Sequence, residues 1–514
     1  MQHVINRQVI ELSVGETEGA FALQQQVSTQ FYQQVLPILQ RVFDALGEEG
    51  ELISIDRLVV DLGVIPEERI RDGGWMDELY SKLMVQAEAL IRDGGGRRAV
   101  VRRPVAAGIV GQWLAYMRTG RLPWNVTAID DAWMRLLLEY LAADHGAVSL
   151  VRETLAREPV VLRRVVEQHD ERFLVSLAEV LTARNQTALP GALAELGMMV
   201  RVVGGVSGPS DALVSDTGPL AAEVRVLWMA ALRLAAEGGL TRTSVEIVKA
   251  LLEAVVLGQV GAAVVREQLK GRVPFCEPLL EEIGRRGDAV AGVEIRDRRA
   301  DITDREVKGG KLKGGENPKR EALHRLTERI LAPGLPEGAA GGVDPEIAEG
   351  IFVPYAGLVL LHPFLGAFFS RLGLVIDYEF VDEVARERCV HLLQHLATGE
   401  TEMPEYELVM AKLLCAFPLE APVARQFEPT AAELEEAGAL LDACLSQWTV
   451  LNNTSREGLR GNFLNRAGKL YSKEGRLRLE VERSSIDVLL DYLPWNLSLV
   501  KLPWMQEMLY VNWR

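Results

Sequence analysis

Apolar residues recur every three or four positions along most of this chain, but no run of them goes far before a glycine or proline interrupts it. That pattern dictates amphipathic helices of ordinary length, each needing a partner for its apolar face. Val224, Leu227, Trp228, Ala231 and Leu234 make one stripe. Val245, Val248, Leu251, Leu252, Val255 and Val256 make a second, and Trp133, Leu136, Leu137, Tyr140 and Leu141 a third. Breaks fall at Gly146, Pro159, Pro190, the 204–219 loop, Gly238-Gly239 and Gly258. No heptad run is long enough for an extended coiled coil, and no fixed-period repeat stands out. Residues 96–284 therefore read as helical hairpins.

Residues 1–95 mix two periodicities and read as a small α+β unit. Ile10, Leu12 and Val14 alternate with Glu11 and Ser13, which predicts a half-buried strand. From Thr17 to Leu46, Ala20, Leu23, Val27, Phe31, Val35, Ile38, Val42 and Leu46 predict one long helix, kinked at Pro37 and ended by Gly47. A second strand is expected over Leu58, Val60 and Leu62, pairing with the first across that helix. A further helix carries Leu79, Leu83, Met84, Ala87, Leu90 and Ile91. Gly94-Gly95-Gly96, then Arg97, Arg98, Arg102, Arg103 and Pro104, reads as a linker with solvated charges.

Beyond residue 284 the character changes twice. Residues 285–320 hold 11 Lys and Arg against 7 Asp and Glu, with few apolar side chains, and 333–345 are rich in glycine and proline. The 285–349 segment is expected to be a flexible Gly/charge-rich linker, with a short helix at Glu321–Leu331. From 350 to 514 the chain is dense and apolar again. Helices are predicted at Val381–Ala397, Tyr406–Phe417, Thr430–Thr449 and Ser485–Tyr492. A β-hairpin is predicted from Leu470–Tyr471 and Leu477–Val481 around Glu474-Gly475, and a last strand near Leu509–Trp513. The fold class is mainly α and multi-domain, with an α+β N-terminal unit and a C-terminal helical domain carrying a β-hairpin and a Trp-rich tail.

Several kinds of chemistry find no support. The formal charge of −16 repels phosphate overall and argues against a general nucleic-acid partner. Cys276, Cys389, Cys415 and Cys444 are too scattered for a disulfide framework or zinc ribbon, which fits a reducing compartment. The first residues lack the apolar core of a secretory signal. The most apolar stretch, Tyr355–Phe369, is too short and broken to span a bilayer, so it reads as buried core. Gly468-Lys469 is followed by Leu470 and lacks a phosphate-binding loop. Gly205-Val206-Ser207-Gly208 has Pro209 where a nucleophile elbow needs glycine. Glu387, His391 and His395 share one helical stripe that could ligate zinc or iron. Histidines packed at a helix boundary are far commoner, and no metal, cofactor or catalytic residue is assigned.

The informative feature is aromatic. Three of nine tryptophans, Trp495, Trp504 and Trp513, lie in the last twenty residues. Leu-Pro-Trp occurs at Leu122-Pro123-Trp124, Leu493-Pro494-Trp495 and Leu502-Pro503-Trp504. Proline fixes φ, so each tryptophan sits on a stiff turn and makes a good anchor, on its own domain or on a partner. The candidate interaction residues are Leu122, Pro123, Trp124, Pro494, Trp495, Pro503, Trp504, Tyr510 and Trp513.

These segments also carry a resemblance. Asp491–Met505 with Leu509–Trp513 resembles the C-terminus of tape measure proteins of contractile injection systems, phage-tail-like particles with a sheath, inner tube and baseplate. Ala356–Phe364, Glu387–Leu393, Lys412–Cys415 with Pro418-Leu419, and Asn453-Thr454-Ser455 with Gly458-Leu459-Arg460 fit as well. So do Ile55–Leu58 with Asp61-Leu62-Gly63, and Thr119–Trp124. The likeness covers about 1–125 and 350–514.

The resemblance implies a structural assembly protein, not an enzyme, that sets tube and sheath length and docks to the baseplate or spike. Its implied partners are inner tube, baseplate or spike, and tube-cap proteins, with several copies in the tube and neither nucleic acid nor membrane. It implies assembly in the cytoplasm and carriage within the released particle. The alternative is a fixed-size adaptor or chaperone at the baseplate or tube cap. The 224 residues from 126 to 349 would reach roughly 340 Å as one helix, an upper limit given the breaks.

Overall fold

The computed structural model describes His3 to Trp513 apart from 15–19, 48–50, 94–99, 204–221, 239–241, 257–268, 284–349 and positions 4, 6, 7, 56, 124, 127, 270 and 452. The expected 285–349 linker, the helix at Glu321–Leu331, the 204–219 loop and the Gly258 break lie outside the described residues. The chain forms two compact units: Met1–Ala115 with Leu122–Ala147, and Tyr116–Arg121 with Val148–Arg514.

In the first unit the long helix forms, but not as a simple kink at Pro37. It runs Ala20–Gln30, passes through a π turn at Phe31–Val35, and continues as Leu36–Leu46. The wide turn ends at Val35, one residue short of Pro37, whose missing N–H disturbs the α ladder there. The buried stripe Leu23, Val27, Gln30, Val35, Ile38, Leu39 and Val42 skips five positions once, between Gln30 and Val35, and that is where the π turn falls. The lower half packs on the Met76–Asp93 helix, burying Val35, Ile38, Val42, Trp75, Leu79 and Leu83. Gln30 fixes the corner: its Nε2 donates to Ile70 O at 2.8 Å and its Oε1 accepts from Trp75 Nε1 at 3.3 Å.

Both strands expected here are corrected. Gln8–Val14 is irregular and exposed, and Arg57–Leu62 joins no ladder. The strands that form are β1, Glu51–Ile55, and β2, Val100–Pro104, antiparallel with Glu51 opposite Pro104 and Ile55 opposite Val100. The 94–104 linker reading is therefore wrong for its second half. β-branched Val100 and Val101 favour extended backbone, and Pro104 is tolerated at a strand end.

In the second unit the stripes predicted over Val224–Leu234 and Val245–Val256 lie on helices, with Val245 exposed; the Trp133–Leu141 stripe falls in the first unit on Asp131–Ala143, with Leu136 exposed. The Ala222–Glu237 helix is central and packs on Pro159–Gln168, Glu171–Thr182, Leu189–Val203 and Ser244–Val256. Its Trp228 is fully buried, with Nε1 donating to Glu171 at 3.0 Å. Pro159 and Pro190 start helices, where a missing N–H costs nothing. The break expected at Gly146 falls at Asp144, between Asp131–Ala143 and His145–Arg157, and Gly146 lies in the first turn of the second helix.

Residues 350–513 build on a five-stranded sheet and the helices His362–Arg371, Glu383–Thr398, Val409–Leu414 and Ala431–Gln447. The strands are β3, Ile351–Val353; β6, Gly468–Lys473; β7, Arg476–Val481; β8, Leu499–Val500; and β9, Leu509–Asn512. Their order is β3-β6-β7-β9-β8, and only β7 and β9 pair in parallel. A separate small hairpin joins β4, Val375–Ile376, to β5, Glu379–Phe380. Leu477, Leu479 and Val481 of β7 face the core, as the alternation predicts. The Ala431–Gln447 helix carries a full capping box from Thr430 and Glu433. Two expected helices differ: Ser485–Tyr492 is a 3-10 helix, and 406–417 shortens to Val409–Leu414 after a 3-10 turn.

Candidate functional site

Two features of the second unit hold several of the family-like segments: a buried charge cluster and the tryptophan-bearing tail. The cluster starts from Arg164 and Gln168, one turn apart on the Pro159–Gln168 helix, on the same face as Val161 and Val165. Both are buried, Arg164 completely. The Arg164 guanidinium donates through Nε to Glu405 Oε2 at 2.9 Å. It reaches Met117 O and Arg118 O through Nη1, the latter at 2.9 Å, and Glu420 O through Nη2. Lys412 Nζ approaches the other Glu405 oxygen at 2.6 Å and donates to Leu419 O at 3.0 Å and Ala421 O at 2.8 Å. Gln168 Oε1 accepts from Tyr116 OH at 2.8 Å and from Glu405 N at 2.9 Å, while its Nε2 donates to Val423 O at 2.7 Å.

One carboxylate thus lies between two cations in the dry interior, and backbone carbonyls absorb the cations' remaining donors. That is the condition under which buried charge is tolerable. Burial pushes Lys412 below the usual ammonium range against the pull of Glu405. Burial, and then Glu405, hold the Tyr116 phenol well above its ordinary value. Gly120 makes the cluster possible. Its φ is +72°, and a Cβ there would collide with the Glu405 carboxylate and stand 3.3 Å from Arg164 Nε. Gly120, Lys412 and Leu419 belong to the family-like stretches. Arg164, Gln168, Glu405 and Tyr116 were not singled out from the sequence. The available signal was a charged residue inside the apolar stripe Val161–Val166.

The tail folds onto its own domain. Trp495 Nε1 donates to Leu360 O at 3.1 Å and its ring meets Phe364 edge-on at 5.2 Å. Trp504 Nε1 donates to Leu414 O at 2.8 Å, and its ring lies 5.6 Å from Phe369 and 5.1 Å from Phe380. Trp513 is 3% exposed, with Nε1 buried and without a partner among the described residues. Pro494 and Pro503 stay exposed, so each Leu-Pro-Trp turns its proline out and its indole in. Tyr510 is half-buried beneath Arg476, 5.5 Å from the ring centroid. Leu122 and Pro123 are half-buried at a turn closed by Val126 N to Pro123 O, 2.8 Å; Trp124 lies outside the described residues.

The Glu387, His391 and His395 stripe has other occupations. Glu387 accepts from Ala424 N at 3.1 Å, His391 stacks on Phe427 at 4.9 Å, and His395 Nδ1 lies 3.1 Å from Glu400 O. Burial lowers His391 to about 4. Among the described residues no group of three His, Cys, Asp or Glu converges on a metal site. The four cysteines are free and buried, and burial raises every thiol, Cys444 to about 12. No helix of the described residues is long and apolar enough to cross a membrane.

The described residues are largely helical, and the site is built from packing, carbonyl clamps and aromatic sockets. The model of the contractile injection system tape measure family matches residues 2–513, and the chain belongs to that family. Its role is that of a structural tape measure component of a contractile injection system. No curated protein and no solved structure matches it significantly.

Proposed function

We propose that this protein sets the length at which inner tube and sheath stop growing, and docks to the baseplate or spike through its C-terminal domain. The observation that carries this reading is a family match spanning nearly the whole chain. The candidate docking residues are those of the tail that stay exposed, Pro494, Pro503, Val488, Tyr492, Leu499 and Met508. Trp495, Trp504 and Trp513 hold the tail in place from its buried side. Leu122, Pro123 and Trp124 make a second contact in the same scheme. The partners are inner tube, baseplate or spike, and tube-cap proteins, with several copies together in the lumen. Assembly takes place in the cytoplasm, and the protein travels with the released particle.

The ruler is tested by shortening 285–320, because Leu251, Leu252, Cys276 and Leu280 are core and their removal would unfold the domain. A constant shortening of tubes in micrographs is expected; tubes of normal length would overturn it. The packing of Pro159–Gln168, Glu171–Thr182, Leu189–Val203 and Ser244–Val256 against one central helix favours a second reading, a fixed-size adaptor or chaperone at the baseplate or cap. That reading expects normal lengths or no particles.

A further inference from the structure

Two segments of the first unit carry strand patterns without a ladder. Gln8–Val14 alternates Ile10, Leu12 and Val14 with Glu11 and Ser13, yet each of its residues is exposed, Val9 by 60%. Arg57–Leu62 alternates exposed and half-buried residue by residue, with Leu58, Val60 and Leu62 packed on the helical core. Neither segment has a backbone–backbone hydrogen bond to another described residue. Lys82 Nζ, on an exposed side chain, donates to Asp61 O at 3.0 Å, a contact that water can replace. An amphipathic strand with free N–H and C=O groups is a template for another strand.

We infer that Gln8–Val14 of one copy adds as a strand to Arg57–Leu62 of a second copy, joining chains head to tail. An antiparallel register with Val9 opposite Val59 sets Glu11 against Arg57. That charged pair is complementary and lies on the solvent side, with Ile10 opposite Leu58 above the core. Cross-strand pairs of this kind stabilise a ladder and oppose like-charge registers. Donor and acceptor are tethered in one chain and still unjoined, so the occupant is the donor of another copy. Because they are different surfaces, the contact is heterologous and extends rather than closing as a dimer. The inference concerns self-association in solution and stands apart from any role in length.

The test uses the full chain. Wild type is expected to show a mass at least twice that of one chain by light scattering, rising with concentration. A donor variant, Ile10→Asp with Leu12→Asp, and an acceptor variant, Val59→Pro, should each remain monomeric. Mixed together they should form a one-to-one complex that grows no further, since only one intact interface is available. A monomeric wild type, variants as large as wild type, or no complex on mixing would overturn the inference. Should Val59→Pro lose its fold by circular dichroism, hydrogen exchange of wild type decides instead. Protection of 8–14 and 57–62 must rise together with concentration; protection independent of concentration means pairing within one chain and defeats it.

Discussion

The charge cluster and the aromatic tail hold the same domain by opposite means. Around Trp504 the contacts are rings and one indole donor, and a smaller apolar side chain leaves a partly fillable gap. Around Glu405 each polar atom answers a particular partner: Arg164 and Lys412 on the two oxygens, carbonyls of 117, 118 and 419–421 beyond them. The aromatic region supplies stabilisation that tolerates change. The charged region supplies little net stabilisation but fixes which backbone segments meet, because any wrong pairing strands a buried charge.

The sharpest way to break that contrast is Glu405→Gln, which leaves two buried cations facing each other. It is expected to cost about 3–5 kcal/mol in denaturant unfolding; a loss as small as that of an aromatic trim would erase the distinction. Acid should act next. His391 and His169, both lowered to about 4 from 6.5, stay neutral in the fold while the unfolded chain takes up protons. Stability is therefore retained above pH 6.5 and falls between there and 4, by up to roughly 3 kcal/mol per histidine. Replacing His391→Phe should flatten the slope of stability against pH. Gly120→Ala, with its positive φ and its approach to Glu405, should cost at least about 1–3 kcal/mol, measurable by thermal or denaturant midpoints. Smallest is Trp513→Phe. It removes a buried N–H that has no partner, so the expected change is within about 1 kcal/mol and can be stabilising.

What the sequence revealed followed the range over which its signals act. The β6–β7 hairpin was legible because alternation and the Glu474-Gly475 turn are local, and the turn residues take positive φ, +56° and +70°. The helical stripes around Trp228 were legible for the same reason. The tail's Leu-Pro-Trp units stood out, but whether the indoles face inward or toward a partner depends on Phe364, Phe369 and Phe380, far away in the chain. The cluster was hidden for a stronger version of that reason: Arg164 and Glu405 lie 241 positions apart. At the N-terminus the period of two at Ile10–Val14 and Leu58–Leu62 was read correctly as a pattern and wrongly as a pair. A strand is a property of two segments, and the partners that met were β1 and β2.

The π turn at Phe31–Val35 has a genealogical side. A wide turn absorbs one residue without rotating the flanking helix, so Leu23 and Val27 on one side and Ile38 and Val42 on the other still share a face. The helix is thus one residue longer than its faces need. Removing a residue at Gln33 would return it to plain α geometry with both halves in phase, whereas the same deletion a turn away would turn one half by roughly 100°. The segment marks a place where this helix can gain or lose a residue and keep its meaning.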